Sequence, residues 1–355
     1  MAKKLMKGND AIAESAVRAG CRLFAGYPIT PQSEILEYLS TRLPEVGGQF
    51  VQTESEIAGI SAVYGGAAAG FRTLTSSSGP GYSLLQEGIS YIASADLPCV
   101  IVSVMRYGSG LGDIYQAQGD YWQVVKNGGH GDYRCLVLAP NSVQEAADLT
   151  YLAYDKADEY RNPVVVLSDA SISQMMEPVE FKEFNEHDPD KHEWSLKGKQ
   201  NGPFRRITSS MYYDTDYDNT IKNKYDKMEA NEQMWAEYEL EDAEIVLVAY
   251  GITSRICKEA VKLARQKGIK LGLIRPISLY PYPKKGFEKI TPDRVKALIS
   301  VELSALGQMV EDVRLACEMK IPVHTYLAGG KVPLAEEILE RVEQLEAQLS
   351  EGVCL

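Results

Sequence analysis

The chain has no close cysteine pairs, few histidines, no long apolar run and a deficit of basic residues, and each shortage removes a class of function. Its six cysteines, Cys21, Cys99, Cys135, Cys257, Cys317 and Cys354, are scattered over 355 residues with no C-x-x-C among them. That spacing argues against a disulfide framework and against an iron–sulfur or zinc site within this chain, and it fits a reducing compartment. Cys21, Cys99 and Cys135 open apolar runs, where a thiol serves as a small core hydrophobe. Of the four histidines, His130 sits in Gly128-Gly129-His130-Gly131-Asp132 without a metal-ligand partner at helical spacing, and His187, His192 and His324 read as isolated. There is no Gly-x-Ser-x-Gly elbow, no Cys beside a His and no Walker sequence, so hydrolase and P-loop chemistry find no support. No apolar run reaches the roughly 18 residues of a membrane span. Met1-Ala2-Lys3-Lys4 leads into an amphipathic pattern from Gly8 to Gly20, not into the apolar core of a signal peptide. With 37 basic against 49 acidic residues the net charge is −12, which disfavours nucleic acid or an anionic membrane as partner. A cytoplasmic protein is expected.

What the sequence does have is ordinary globular material. Hydrophobic residues make up 45% and charged residues 24%, so disorder is not expected, and the length suits two domains. Through residue 180, strand-like runs at Cys21–Ala25, Gln49–Gln52, Arg72–Thr75, Cys99–Met105, Cys135–Leu138 and Val164–Leu167 alternate with helical patterns. One helix is capped by Asn9 or Asp10 and runs to Arg18. A second has Pro31 in its first turn and Ile35, Leu36 and Leu39 on one side. Others lie at Glu54–Gly70 and about Pro80–Ala95. This rhythm predicts an α/β domain with a mostly parallel sheet covered on both faces. Residues 181–242 break it. Charges and tyrosines crowd there, and Ile221, Tyr225, Met228, Trp235 and Tyr238 recur at helical spacing, which predicts a linker helix with an aromatic stripe on a core or domain interface. From 243 to 355 the rhythm returns, with strands at Ile245–Ala249, Lys270–Ile274, Ala297–Val301 and Val323–Tyr326 and helices at Ser254–Gln266 and Pro333–Leu349, enough for a smaller open sheet.

In open α/β sheets ligands bind beyond the carboxyl ends of strands, and four loops of the first domain stand out there. Gly26-Tyr27-Pro28-Ile29-Thr30-Pro31 follows a strand; its prolines stiffen the turn and Thr30 offers a hydroxyl near a helix start. Thr53-Glu54-Ser55-Glu56 opens a helix rich in Gly, Ala and Ser. Each interior Gly costs about 1 kcal/mol against Ala, so such a helix suits a place where a ligand, a neighbouring helix or a partner chain comes close. Ser76-Ser77-Ser78-Gly79-Pro80-Gly81 lies at a strand–helix junction and reads as a plain turn rather than an anion cradle. Met105-Arg106-Tyr107-Gly108-Ser109-Gly110 carries an arginine out of an apolar strand, either for a salt bridge or to grip a carboxylate through two hydrogen bonds.

Taken together these loops resemble the α subunit of the 2-oxoacid:ferredoxin oxidoreductases, over essentially the whole chain. Gly26-Tyr27-Pro28-Ile29-Thr30-Pro31 is the most specific match. Ser55-Glu56 with its small-residue helix, Arg106, and the closing Glu302-Leu303-Ser304 and Gly307-Gln308-Met309-Val310 add to it. The wording is most like the branched-chain type, acting on 2-oxoisovalerate; the 2-oxoglutarate type is the near alternative and a non-catalytic scaffold subunit the remote one. The resemblance implies a thiamine diphosphate-binding domain of the pyrimidine type at 1–180, a linker at 181–242 and a transketolase C-terminal-like domain at 243–355 with a structural role. It implies that Glu56 hydrogen-bonds the pyrimidine N1′, favouring the imino tautomer that takes the proton from the thiazolium carbon. It assigns Tyr27, Pro28 and Thr30 to the cofactor pocket, and Thr30 and Arg106 to the carboxylate and carbonyl of a 2-oxo acid.

The family also implies what must come from elsewhere. Thiamine enzymes carry Gly-Asp-Gly followed by Asn-Asn for the metal that anchors the diphosphate. Here Gly112-Asp113-Ile114, Gly119-Asp120-Tyr121 and Gly131-Asp132-Tyr133 lack the second glycine. Magnesium and iron–sulfur clusters are therefore expected only on partners: a β subunit, a γ subunit and a ferredoxin or ferredoxin-like subunit, with coenzyme A accepting the acyl group.

Overall fold

Alternate residues of the strand Cys99–Tyr107 point to opposite sides of a sheet, and both sides are apolar: Val100, Val102 and Val104 enter one core cluster while Cys99, Ile101 and Met105 enter another. The neighbouring strand Pro163–Asp169 splits the same way, Val164 and Val166 against Val165 and Leu167. A strand buried on both faces belongs in the middle of a helix-covered parallel sheet. Each fully buried Val, Ile or Leu there contributes about 1.5–3 kcal/mol.

The computed structural model of the chain describes residues 3–198 and 206–350; Cys354 lies outside them. The described residues form a large sheet in the order Ser278–Tyr280, Leu136–Leu138, Pro163–Asp169, Cys99–Tyr107, Arg72–Ser77, Cys21–Gly26, Gln49–Gln52. Neighbours in this order are parallel except Ser278–Tyr280, which runs antiparallel to Leu136–Leu138, and a short strand, Asp113–Gln116, also pairs antiparallel with Cys99–Tyr107. That edge strand comes from the part of the chain read as the second domain. A second sheet has the order Trp235–Tyr238, Leu271–Pro276, Ile245–Val248, Ala297–Glu302, Val323–Leu327. Its first strand is antiparallel and the others are parallel. Helices Gly251–Gln266 and Ala335–Ser350 cover one face through Cys257, Val261, Leu339 and Val342. On the other face Val246, Val248, Ile274 and Leu298 share a core with Tyr82, Tyr121 and Ile101 of the first domain. Among the described residues no helix is long and apolar enough to cross a membrane.

Four local expectations are corrected. The first helix spans Gly8–Arg18, and neither Asn9 nor Asp10 caps it; Lys7 occupies the N-cap. Asn9 is instead fully buried, and its Nδ2 donates to the Pro31 carbonyl at 2.7 Å and to Glu34 at 2.9 Å, pinning the Gly26–Pro31 loop. The second helix is Ser33–Glu45, so Pro31 precedes it. The aromatic stripe is split. The helix Tyr217–Asn231 ends before Trp235, and Trp235 and Tyr238 lie in the antiparallel strand of the second sheet, where alternate positions rather than helical spacing set their direction. A short ribbon pairing Lys4–Lys7 with Met176–Val179 is too polar to announce itself in sequence. His187 and His192, read as isolated, meet with their Nε2 atoms 3.3 Å apart.

The two sheets are locked together at the carboxyl ends of their strands. Gln118 is the hub: its amide donates to the Leu303 carbonyl at 2.7 Å, its side chain accepts from Leu303 N–H at 3.1 Å, and its Nε2 donates to the Tyr250 carbonyl at 2.9 Å. Glu302, 1% exposed, accepts from the backbone amides of Gln308, Met309 and Val310 at 2.7–3.0 Å, the start of the helix Val310–Ala316. Gln308 in turn bonds Trp122 N–H and the Gly119 carbonyl. Asp169 accepts from Ile172 N–H and, across the junction, from Ile252 N–H at 2.8 Å. Burial pushes its carboxyl up to about 6 despite these donors. Gly251 sits at φ +56°, and a Cβ there would stand 2.5 Å from Asp169 Oδ2. Gly251→Ala therefore combines left-handed strain with a clash against a buried carboxylate, and should cost about 2 kcal/mol or more. A lowered denaturation midpoint of the purified chain checks this; an unchanged midpoint contradicts it.

Candidate active site

Three loops meet at the carboxyl edge of the large sheet. Ser55 caps the helix Glu56–Ala68, its side chain accepting from Ala58 N–H, and this sets Glu56 in the first turn. Glu56 is only 5% exposed. The small residues of this helix have identifiable neighbours. A Cβ at Gly59 would approach Gly26 Cα to 3.0 Å, one at Gly66 would meet Leu23 at 2.3 Å, and Gly88 of the adjoining helix leaves room for Ile60. The helix thus lies directly on the strand that leads into Tyr27, and Thr53 N–H bonds the Gly26 carbonyl at 2.9 Å.

The Ser76–Gly81 junction, read as a plain turn, is part of the same cluster. Ser77 Oγ donates to Glu56 Oε1 at 3.4 Å, and Ser76 Oγ donates to Gln32 Oε1 at 2.6 Å. Gln32 also bonds the Tyr27 carbonyl. The helix Pro80–Ser94 can start here only because position 81 lacks a side chain: a Cβ on Gly81 would be 2.2 Å from both Glu56 Oε1 and Ser77 Oγ. On the other side of the turn, Gly79 (φ +46°) faces Arg106, with a Cβ there 3.3 Å from Nε. A signal for this was in the sequence: Gly-Pro-Gly after a serine run combines a forced φ, a helix-starting proline and a helix residue without a Cβ.

Arg106 does not emerge into a flexible loop. It is the penultimate residue of its strand and 7% exposed. Nη1 donates to the Thr30 carbonyl at 2.9 Å and Nη2 to the Leu111 carbonyl at 2.6 Å, while Nε is buried with no partner among the described residues. Among the described residues Arg106 makes no salt bridge; its guanidinium is fixed by two main-chain oxygens. Thr30 is exposed, Tyr27 is 40% exposed and Pro28 half-buried, so that loop rims the cluster.

Beside it opens a cleft of about 620 Å³ between the domains, lined on one side by Gly79, Pro80, Tyr107 and Asp120 and on the other by Leu303–Leu306. Glu56, Thr30 and Arg106 do not line it; it joins their cluster at the Gly79–Pro80 turn. Asp120, missed in the sequence, is the sole charged side chain among its described lining residues. Burial pushes its carboxyl up to about 6, opposed by a hydrogen bond from Gln123 and the charge of Arg106.

The residues present suit the pyrimidine half of thiamine diphosphate. A buried carboxyl whose one described hydrogen bond is long, at 3.4 Å, has capacity for a ring nitrogen, and the glycine turn leaves backbone rather than side chains next to it.

Comparison with known proteins agrees with this geometry. Residues 14–247 match the family described as pyruvate flavodoxin/ferredoxin oxidoreductase, thiamine diphosphate-binding, and residues 243–338 match pyruvate:ferredoxin oxidoreductase core domain II. The ketoisovalerate oxidoreductase subunit VorB of Methanothermobacter thermautotrophicus is 48% identical over 99% of this chain and 100% of its own length. The 2-oxoglutarate synthase subunit KorA of Methanocaldococcus jannaschii is 37% identical over 95% of this chain and 98% of its own. Among solved structures, the 2-oxoglutarate:ferredoxin oxidoreductase of Magnetococcus marinus, determined with 2-oxoglutarate, coenzyme A and succinyl-CoA bound, matches with a TM-score of 0.84 and 27% identity, over 96% of this chain and 65% of that one. A split-gene transketolase, at 14% identity and TM-score 0.57, shares the fold. The chain belongs to the pyruvate flavodoxin/ferredoxin oxidoreductase family, and it carries that family's thiamine diphosphate-binding domain followed by its core domain II.

Proposed function

We propose that this chain is the catalytic α subunit of a ferredoxin-dependent 2-oxoacid oxidoreductase that converts a branched-chain 2-oxo acid and coenzyme A to acyl-CoA and CO2 in the cytoplasm. The observation that carries the reading is the buried Glu56 carboxyl, held at a glycine turn beside a main-chain-fixed arginine. Residues 1–180 would form the pyrimidine-binding domain, 181–242 the linker, and 243–355 the transketolase C-terminal-like domain. A β subunit would bring the magnesium and diphosphate site and an iron–sulfur cluster, and a γ subunit and a ferredoxin or ferredoxin-like subunit would complete the path for electrons.

When bound, thiamine diphosphate supplies a nucleophilic carbon and an electron sink for decarboxylation. This chain's part is to set protons and charge around it. Glu56 would hydrogen-bond the pyrimidine N1′, beside Ser77 and Gly81. Tyr27 and Pro28 wall the pocket. Thr30 and Arg106 orient the substrate: Nε of Arg106 has a free donor, and the two main-chain anchors keep the guanidinium plane from turning. Leu303–Leu306 and Pro80 border the adjoining cleft.

Two observations favour a branched-chain substrate over 2-oxoglutarate. Identity is higher to the ketoisovalerate subunit than to the 2-oxoglutarate subunits, 48% against 37%. Asp120 is the sole charged side chain among the described lining residues of the cleft, and a second substrate carboxylate would be repelled by it.

Replacing Glu56 by Gln should lower 2-oxo acid-dependent viologen reduction by the reconstituted complex at least about 100-fold, with subunit assembly unaltered. Full activity would reduce the chain to a scaffold. Arg106→Lys should raise KM for the 2-oxo acid by about tenfold, the loss of one charge-assisted hydrogen bond; an unchanged KM removes Arg106 from the substrate site. In a panel of 2-oxo acids, kcat/KM should be highest for 2-oxoisovalerate. Preference for 2-oxoglutarate would overturn the substrate assignment while leaving the Glu56 chemistry intact.

A further inference from the structure

Between the first domain and the linker, the segment around residues 185–196 is strapped onto the surface near the far ends of two strands. Asn185 N–H bonds the Arg18 carbonyl, Leu196 N–H the Ala68 carbonyl at 2.9 Å, and Ser195 Oγ the Ala69 carbonyl at 2.9 Å. Two glycines with positive φ make the close approach possible. A Cβ at Gly20 (φ +92°) would be 2.8 Å from His187 Cβ, and one at Gly70 (φ +88°) would be 2.6 Å from the Pro189 carbonyl. The strap is therefore built to fit, and it carries both histidines.

These histidines form an unusual group. Their Nε2 atoms are 3.3 Å apart, and His187 Nε2 lies 2.9 Å from the Gly70 carbonyl oxygen. A carboxylate oxygen of Asp158 completes a set in which all three side-chain ligand atoms lie within 4.8 Å of one another. Two imidazole nitrogens bound to one tetrahedral zinc at about 2.0–2.1 Å stand about 3.3–3.4 Å apart, the separation found here. The rings are held from outside: His192 stacks on Trp194 with centroids 4.1 Å apart, and Arg161 covers the other part of that indole at 4.8 Å. Arg72 contacts Asp158 at Oδ2, through both Nε and Nη2, so Oδ1 is the oxygen turned to other use. Asp155 shares the same guanidinium at 2.8 Å, so two carboxylates face the one Arg72 charge.

We infer that His187, His192 and Asp158, with the Gly70 carbonyl alongside, bind a single borderline divalent cation of the zinc class that staples the linker strap to the first domain. Without a cation, His187 Nε2–H donates to the Gly70 carbonyl. On binding, that ring moves its proton to Nδ1 and presents Nε2 to the metal. The site is independent of the thiamine reaction.

The test uses the full-length chain alone, stripped with chelator, so catalysis does not enter. Equilibrium dialysis with Zn2+ should give one equivalent bound, Co2+ in its place should show tetrahedral visible absorption, and Zn2+ should raise the melting temperature. His187→Gln keeps a donor for Gly70, and His192→Phe keeps the stack on Trp194. Both should retain the fold and lose the bound equivalent, whereas His130→Ala should bind as the parent does. No stoichiometric binding by the parent chain, or binding that survives both strap substitutions, would overturn the site.

Discussion

A carboxyl group can be buried at a helix start only where nothing else fills the space, and Gly81 is what leaves it. A single methyl group at that position would stand 2.2 Å from Glu56 Oε1, so the chain must either expose Glu56 or keep a glycine. Everything around the site follows from that exclusion. Ser77 can reach the carboxyl, Pro80 can start its helix without a side chain crossing the pocket, and the same turn can lean on Arg106 through Gly79. The arginine is in turn denied freedom by the Thr30 and Leu111 carbonyls. The cluster is thus preorganised by main-chain atoms, which do not rotate away, and this suits a site where a proton and a carboxylate need fixed positions.

The second domain acts on this cluster indirectly. Gln118, Asp169 and Gln308 bond across the junction largely to backbone groups, so they fix the distance between the two sheets rather than any side-chain chemistry, while Glu302 holds the loop on its own side through the amides of Gln308, Met309 and Val310. Their effect is to hold Leu303–Leu306 over the cleft that joins the Gly79–Pro80 turn. The closing Glu302 and Gly307–Val310 residues, noticed in sequence only as part of a resemblance, gain a physical reason: a buried acid needs three adjacent amide donors, and a helix start provides them.

Much of this was legible beforehand. The apolar strands were evident because residues buried on both faces leave uninterrupted Val, Ile and Leu runs. The loops carrying Glu56, Thr30 and Arg106 stood out because they lie where open sheets bind ligands, and the family resemblance singled out those residues within them. What escaped detection depended on distance in sequence. Asn9 sits in a capping-like position yet serves Pro31 and Glu34, because its helix is capped at Lys7, before the polar pair. Trp235 and Tyr238 share the helical spacing of Tyr225 by coincidence, and only pairing with Leu271–Pro276 decides between helix and strand. The serine run read as a turn because serine is common in turns; its burial, 0% exposed at Ser76, Ser77 and Ser78, is a tertiary fact. His187 and His192 are separated by a stretch with no regular period, and the glycines that let them meet lie far away in the chain.

The central claim is that this chain's own buried acid reaches a coenzyme completed by a neighbouring subunit. A structure of the assembled complex with thiamine diphosphate measures it directly. The account predicts a Glu56 carboxylate oxygen within about 2.6–3.2 Å of the pyrimidine N1′, with Ser77 and Gly81 unmoved. A pyrimidine lying against another subunit's acid, with Glu56 still closed off behind Gly81, would contradict it.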